Sequence, residues 1–444
     1  MSSAQSSDGW APDVGGASLA SDDIDHWSDV ARTEPKAKRQ RQEGQSSHPL
    51  GPRSFADIAG FAGYQVGQMV SEEAQAKYGA CKFSIRHRGI ILSTDYSGVG
   101  TAEIAFNIIA QEIANRGMLE SSASGLSDFV ICYRAADRDE LCREVLLSHA
   151  PGPTAPKHVL GDICDLVRPA VLEAIEDMLE CRQAQYYEFC LDAENDGVPV
   201  SAKEKTLMKQ EIGREFLEQA FDHLTSQTNC FADKVRCFAC GDGNDKGTLT
   251  CPVHPSKAER GERLYGVIGG NTCTEWSSMK VGAMKWLHKN TIDFIVWVAD
   301  LLRQDPAFLL QECVRYFDVE PLAKLLERAH FIVQQVVFSP LDLGVPTHRM
   351  RSYILAVHKK QVNIRVPFQV PDLEPLFWRQ VQASAKIYFR APSSLLQAML
   401  PHRSDEVADE DYRPESCMSV GDNKRLKKYL EVAQKKGLKF LGRV

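Results

Sequence analysis

Gly89-Ile90-Ile91-Leu92-Ser93-Thr94-Asp95-Tyr96-Ser97-Gly98-Val99-Gly100-Thr101 runs an apolar stretch into a turn with two glycines, and Thr101 to Arg116 then carries apolar residues at helical spacing. Strand, glycine turn and helix in that order open a βαβ unit, where missing Cβ atoms let the backbone approach a nucleotide-like ligand. Taken alone the turn is equally an ordinary tight connection. Further strands are predicted at Phe129–Tyr133, Val159–Gly161, Leu264–Gly269, Phe308–Gln311 and Phe331–Phe338, with helices at Asp139–His149, Thr291–Arg303 and Glu320–Ala329. Strands alternating with helices predict a doubly wound α/β fold with a mainly parallel sheet.

The rhythm breaks between Leu166 and Arg263, a segment too long for an ordinary loop and mostly helical in pattern. Ser201 and Glu204 form a capping box at the head of a helix expected to reach about Gln227. The expected organisation is therefore a disordered tail at 1–52, a first α/β portion at 53–166, an inserted helical subdomain at 167–263, a second α/β portion at 264–358 and a C-terminal region at 359–444. The tail is rich in Ser, Gly, Asp and Gln, too poor in apolar residues to offset the entropy of ordering.

At 444 residues, 43% hydrophobic and 25% charged, the composition is that of a globular chain with a sizeable core. Thirteen Cys behind a start that lacks a basic, apolar leader pattern point to a reducing compartment, with free thiols or metal ligands. The apolar stretch Ile292–Leu302 is too short to span a bilayer, so no membrane partner is expected. With a net charge of −7, any nucleic-acid partner must be held by a local basic surface. Asp422 to Arg443 is locally basic, and the cluster from Pro35 to Arg41 reads as a nuclear import signal or as a solvated charge run, leaving nucleus and cytoplasm both open.

Chemistry concentrates at the predicted strand ends. Asp137 follows the second strand, where an acid accepts from ribose hydroxyls, and Asp162 with Ile163 follows the third, offering a carboxylate and an aliphatic cap for an adenine ring. Either acid alone is as readily a helix N-cap. After the fourth strand, Gly269 to Ser278 is a small-residue loop presenting Cys273; the fifth delivers Glu312, and Thr347-His348-Arg349-Met350-Arg351 follows a Gly-Val-Pro turn. Thiol, carboxyl and guanidinium groups are thus expected on one rim.

In this order the motifs resemble the C5 cytosine-specific DNA methyltransferase family over about residues 88–358, outside the insertion. The resemblance implies a Rossmann-like S-adenosylmethionine-dependent methyltransferase fold. By resemblance, Tyr96, Ser97, Gly98, Gly100, Asp137, Asp162 and Ile163 line the cofactor pocket, while Cys273 is the nucleophile, Glu312 the acid, and Arg349 and Arg351 the paired arginines. The implied reaction is methyl transfer to C5 of cytosine in DNA, or in transfer RNA as in one branch of the family; a catalytically silent nucleic-acid-binding homologue is the alternative from another class. The chain departs from the pattern at Thr272, Thr274 and Trp276 around the nucleophile, at Thr94 and Asp95, and at Cys313 and Thr347. No copy of the family's last two motifs is found at 359–444.

A separate signal lies in the insertion. Cys237 and Cys240 form a CxxC, followed by Cys251 and His254 as a CxxH, a spacing suited to one structural zinc with Cys230 as a spare ligand.

Overall fold

The structure, a computed structural model, describes residues 48–383 apart from 55–56, 58–59, 79–88, 117–128, 196–199, 228, 242–246, 248, 272, 278–279, 281 and 365. The chain divides into Met1–Ser47 and His48–Val444, and the described residues all belong to the second unit. The expected import signal and the basic segment from Asp422 to Arg443 lie outside them.

The elements in chain order are α1 (Phe61–Met69), α2 (Glu72–Tyr78), β1 (Ile90–Asp95), α3 (Thr101–Asn115), β2 (Val130–Ala136), α4 (Glu140–Ser148) and β3 (His158–Leu160). The insertion supplies α5 (Pro169–Asn195), α6 (Ala202–Ser226), β4 (Lys234–Arg236), β5 (Thr250–Pro252) and α7 (Lys257–Arg260). Then follow β6 (Leu264–Gly269), α8 (Asn290–Gln304), β7 (Phe308–Val314), α9 (Glu320–Arg328), β8 (Phe331–Phe338), β9 (Arg351–His358) and α10 (Val370–Phe377).

Seven strands form one sheet in the order β3-β2-β1-β6-β7-β9-β8. The pairs from β3 to β7 are parallel, and β9 runs antiparallel to both its neighbours. This is a doubly wound, Rossmann-like α/β sheet whose strand order reverses between β1 and β6, where such sheets open a crevice at their carboxyl ends. The strand β9 was not anticipated: it follows β8 without an intervening helix, so the βα rhythm gives it no marker. Its own pattern marks it as half-buried, with Ser352, Ile354 and Ala356 facing the core.

On one face of the sheet α8 is apolar nearly all round because it is covered on both sides. Trp297 lies against Gly269 of β6 so closely that a Cβ there would sit 2.4 Å from the indole, while Ile295 and Leu301 share one core with Phe216, Leu217 and Phe221 of α6. The insertion thus adds its buried face to the main core and begins and ends beside it. The capping box at Ser201 is present, with Glu204 Oε2 accepting from the Ser201 N–H at 2.9 Å. On the other face Phe106 of α3 stacks on Phe308 of β7, ring centres 6.3 Å apart. Among the described residues no helix is long and apolar enough to cross a membrane, and the described cysteines are free.

A charged network sits inside this core. Arg134 of β2, fully buried, donates from one terminal nitrogen to both Asp95 carboxylate oxygens at 2.9 Å and to Asp300 of α8 at 3.3 Å. Its other terminal nitrogen donates to the Val253 carbonyl at 3.1 Å and meets His254 Nδ1 at 3.3 Å. Trp297 Nε1 donates to Asp95 at 3.2 Å, and Arg303 adds a second cation 3.6 Å from Asp300. Burial pushes the Asp95 carboxyl up, and the guanidinium pulls against it. Replacing Arg134 by Met strands two buried acids, so Arg134→Met is expected to lower the unfolding free energy by about 3–5 kcal/mol. Urea unfolding followed by tryptophan fluorescence measures this, and a loss below about 1 kcal/mol would contradict the network's role.

Candidate active site

The turn after β1 is set by backbone that only some residues tolerate. Tyr96 (φ 57°), Gly98 (φ 57°) and Gly100 (φ 81°) all adopt left-handed conformations. Nothing lies within 4 Å of where a Gly98 Cβ would stand, so the turn faces open space there. Ser97 ties the turn to β2: its N–H donates to the Ala136 carbonyl at 3.0 Å, and its Oγ accepts from the Ala136 N–H at 3.0 Å. Asp137 accepts from the Gly98 N–H at 2.8 Å and from the Asp139 N–H at 2.9 Å. Asp162 caps the 3-10 turn Ile163–Leu166 through the Cys164 N–H at 3.0 Å, and Ile163 is buried behind it. Asp162 therefore serves as a local cap, whereas the cap of α4 is Asp139 and Asp137 ties the turn after β1 to the segment before α4; both acids stand at the carboxyl ends of their strands.

Cys164, Asp293 and Glu103 stand beside these residues without a sequence signal. Asp293 of α8 accepts from the Cys164 thiol at 3.3 Å, and Asp162, Cys164 and Asp293 present atoms within 4.8 Å of one another. Burial pushes the Tyr96 phenol well up, and its oxygen is buried without a hydrogen-bond partner. Glu103, in the first turn of α3, is fully buried and bonds Thr94 Oγ1, which in turn meets Ser97 Oγ at 2.7 Å. Asp95 points into the core toward Arg134. The side chains shaping this turn from below are thus Thr94 and Glu103.

On the other side of the switch point, the Gly270 N–H donates to the Asp95 carbonyl at 3.3 Å, joining the loop after β6 to the turn after β1. Asn271 Oδ1 accepts from Gln311 of β7 at 2.7 Å, and Thr272 lies outside the described residues. Cys273 follows, half-buried. Its loop is held downstream by Glu275, a buried carboxylate that bonds Lys280, accepts from the Met284 N–H at 2.9 Å and lies 3.4 Å from His288. Trp276 packs edge-on against Trp286 and Phe317 at 4.9 and 5.6 Å between ring centres.

The pleat of β7 places Cys313 in the core and Glu312 on the opposite face, with Cys273 at the strand end in reach of both. Cys273 Sγ accepts from the Val314 N–H at 3.3 Å. The neighbouring Cys313 thiol is the main reason the Cys273 pKa falls to about 7; burial and the Glu312 charge oppose that fall, while the Val314 N–H and the Arg351 charge assist it. Burial pushes the Cys313 thiol up. Glu312 Oε1 lies 2.7 Å from Arg351 Nε, across the antiparallel β7–β9 register that pairs Glu312 with Tyr353 and Val314 with Arg351. Arg349 is exposed, with its N–H donating to Ser339 Oγ at 2.9 Å. The structure therefore brings Cys273, Glu312 and Arg351 together at the carboxyl edge, with Arg349 two residues before β9 proceeds.

A third cluster lies at the β3 edge, where Cys237, Cys240 and Cys251 converge with His158. His254, expected as the fourth ligand, is not in it. Its Nε2 lies 2.9 Å from Asp300 Oδ1 and its Nδ1 3.3 Å from Arg134, so that neutral imidazole donates to the acid and accepts from the guanidinium. Burial holds this ring below the usual imidazole range. With both nitrogens committed to the core network, His254 is unavailable. The buried Cys230 Sγ lies 3.5 Å from the Gln227 carbonyl and is not part of the cluster.

No protein-family model matches the chain, and no curated protein matches its sequence. Among solved structures, the chain is similar to the Dnmt2 methyltransferase of S. pombe, at 12% identity over 65% of this chain and 54% of that one, TM-score 0.30. It is similar to a putative DNA modification methyltransferase encoded within a prophage of E. coli, at 14% identity over 62% and 49%, TM-score 0.27. A mutant of Spodoptera frugiperda DNMT2 matches at 14% over 67% and 54%, TM-score 0.27. The chain spans about half the length of these structures, and its chemistry is read from its own residues.

The thiol geometry has a measurable consequence. Alkylation of Cys273 by iodoacetamide should rise with pH through a midpoint of about 7, below the value of about 8.5 for a free cysteine. Cys313→Ala removes the leading stabiliser of the thiolate and should move the midpoint upward. Peptide mapping by mass spectrometry reads both; an unmoved midpoint would remove Cys313 from this role.

Proposed function

We propose that this protein transfers a methyl group from S-adenosylmethionine to C5 of cytosine in DNA. The observation that carries the reading is Cys273 at the β6 end, its sulfur accepting from the Val314 N–H and its pKa lowered to about 7, chiefly by the neighbouring Cys313 thiol, beside the Glu312–Arg351 pair. This supplies a thiolate near neutral pH next to a carboxyl and a guanidinium, the three groups that attack on a pyrimidine ring requires.

The crevice at the ends of β1, β2 and β3 fits the cofactor: Gly98 leaves room where a side chain would intrude, Tyr96 holds an unpartnered phenol, and Asp137 and Asp162 stand at adjacent strand ends. When bound there, S-adenosylmethionine supplies an electrophilic methyl group on a sulfonium. Cys273 adds to C6 of the cytosine, which raises electron density at C5 so that C5 takes the methyl. Carrying a proton, Glu312 would donate to N3 and so stabilise the negative charge that addition places there, while its other oxygen accepts from the exocyclic amine. Arg351, already oriented by Glu312, and Arg349 hold the base O2 and a neighbouring phosphate through their forked donors. With the methyl transferred and the cofactor left as its neutral thioether, loss of the C5 proton to water would then expel the Cys273 thiolate and restore the ring. A base inside a duplex has to leave its stack to reach this rim. On this reading the basic run near the N-terminus directs the chain to the nucleus.

The test is covalent trapping on DNA containing 5-fluorocytosine, whose fluorine blocks the final elimination. With S-adenosylmethionine, native protein should give a denaturation-resistant DNA adduct and Cys273→Ala none. Folded protein that forms no adduct on DNA, or forms it equally without Cys273, would overturn the reading; an adduct on transfer RNA alone would reassign the substrate.

A further inference from the structure

Apart from the methyl-transfer reading, the cluster at the β3 edge has the composition and spacing of a closed metal centre. Its four donors come from three separate pieces of chain. His158 opens β3; Cys237 and Cys240 flank the knuckle that follows β4; Cys251 lies on β5. The β4–β5 ladder pairs Val235 with Cys251 and continues as Cys237 N–H donates to the Leu249 carbonyl at 2.9 Å, so Cys237 and Cys251 share one face of the hairpin. The knuckle is closed by Gly247 N–H donating to the Cys240 carbonyl at 3.0 Å, and it docks on the sheet by Phe238 N–H donating to the Val159 carbonyl at 2.7 Å. These backbone bonds bring the imidazole of a sheet strand to thiols from the insertion.

The distances match a tetrahedron. The three Sγ atoms and the ring nitrogen all lie within 4.8 Å of one another, with His158 Nδ1 3.8 Å from Cys237 and 3.5 Å from Cys240. Zinc–sulfur bonds of about 2.3 Å and a zinc–nitrogen bond of about 2.0–2.1 Å at the tetrahedral angle give a sulfur–nitrogen edge of about 3.6 Å. The three thiols are free, and His158, Cys237 and Cys251 are buried. Three soft sulfur donors with one imidazole select zinc among the common divalent ions, and four protein ligands leave no position for a substrate.

We propose that His158, Cys237, Cys240 and Cys251 bind one structural zinc ion that clamps the end of the insertion to the edge strand of the sheet. The clamp acts close to the crevice. His158 lies four residues before Asp162 on the same strand and turn, and a Cβ on Gly161 would be 3.5 Å from the Phe238 ring. Arg143 of α4 and Arg236 of β4 cover that ring at 4.5 and 4.7 Å. Zinc thereby holds the knuckle as one wall beside the Asp162 turn.

The experiment uses the full chain, reduced and purified without chelator, with metal measured by mass spectrometry and zinc then exchanged for cobalt. About one zinc per chain is expected, and cobalt should give the intense visible absorption of a tetrahedral thiolate site. Cys240→Ser, at the half-exposed ligand, and His158→Ala should each weaken zinc retention against a chelator by at least about tenfold. His254→Asn should retain zinc as the native chain does. Zinc below about 0.2 per chain, both as purified and after reconstitution of folded reduced protein, would overturn the proposal. So would loss of zinc in His254→Asn with retention in His158→Ala, or an octahedral cobalt spectrum. The metal measurements require neither cytosine nor S-adenosylmethionine, so their failure is distinguishable from failure of the methyl-transfer reading.

Discussion

The guanidinium of Arg134 is the constraint around which the rest of the molecule is arranged. It is fully buried, and its partners come from β1, from α8 and from the segment after β5. A charge removed from water is tolerated only where opposite charge and hydrogen bonds meet it, so these elements are bound to one relative placement. Such a network gives little net stability over an apolar core of the same shape; its effect is that no partial rearrangement satisfies it. Trp297 extends the constraint from Asp95 into the tight contact with Gly269, and Gly269 ends the strand from which the Cys273 loop departs.

That placement also decides which acids reach the crevice. Asp95, the last residue of β1, is consumed by Arg134 and Trp297. The role of shaping the turn from beneath passes to Thr94, Ser97 and Glu103, which bond one another. Asp137 and Asp162 each commit oxygen to backbone N–H groups nearby, which fixes the carboxylates before any ligand arrives. A rim tied in this way is already ordered, and ordering it is then not charged against binding.

The strands β1, β2, β3, β6, β7 and β8 were legible because a buried strand is a short continuous apolar run and a crossover helix keeps a 3.6-residue period; β4 and β5, three residues each inside a segment that reads as mostly helical, were not. The strand β9 was not read because it reverses direction and follows a loop instead of a helix; the alternation that buries Ser352, Ile354 and Ala356 is a property of the folded sheet, the sequence there being apolar at Tyr353 and Leu355 as well. Cys273 and Glu312 could be placed at strand ends from order along the chain, since a doubly wound sheet delivers every carboxyl end to one edge; Arg351 reaches that edge as the first residue of the antiparallel β9 and was expected there only after a Gly-Val-Pro turn and by resemblance. Cys313 could be seen only as a departure; its effect on Cys273 depends on the pleat of β7 and the path of the loop after β6. His158 carried no signal, because its partners lie some eighty residues away and meet it through the docking of Phe238 on Val159. His254 satisfied the ligand spacing yet stands in the Arg134 network, which local spacing cannot reveal.

Among the described residues, the backbone bond from Gly270 N–H to the Asp95 carbonyl joins the loop bearing Cys273 to the turn after β1. Both chain segments leave adjacent parallel strands, whose register pairs Asp95 with Gly269. Below that bond lies the Arg134 network, and beside it the aromatic packing of Trp276 against Trp286 and Phe317 holds the far end of the loop. The Cys273 loop is thereby held by interactions on the core side of the sheet. A change that loosened the core beneath β1 and β6 would therefore displace Cys273 relative to the crevice without touching either, and a displacement of an ångström is enough to matter for attack on a positioned ring.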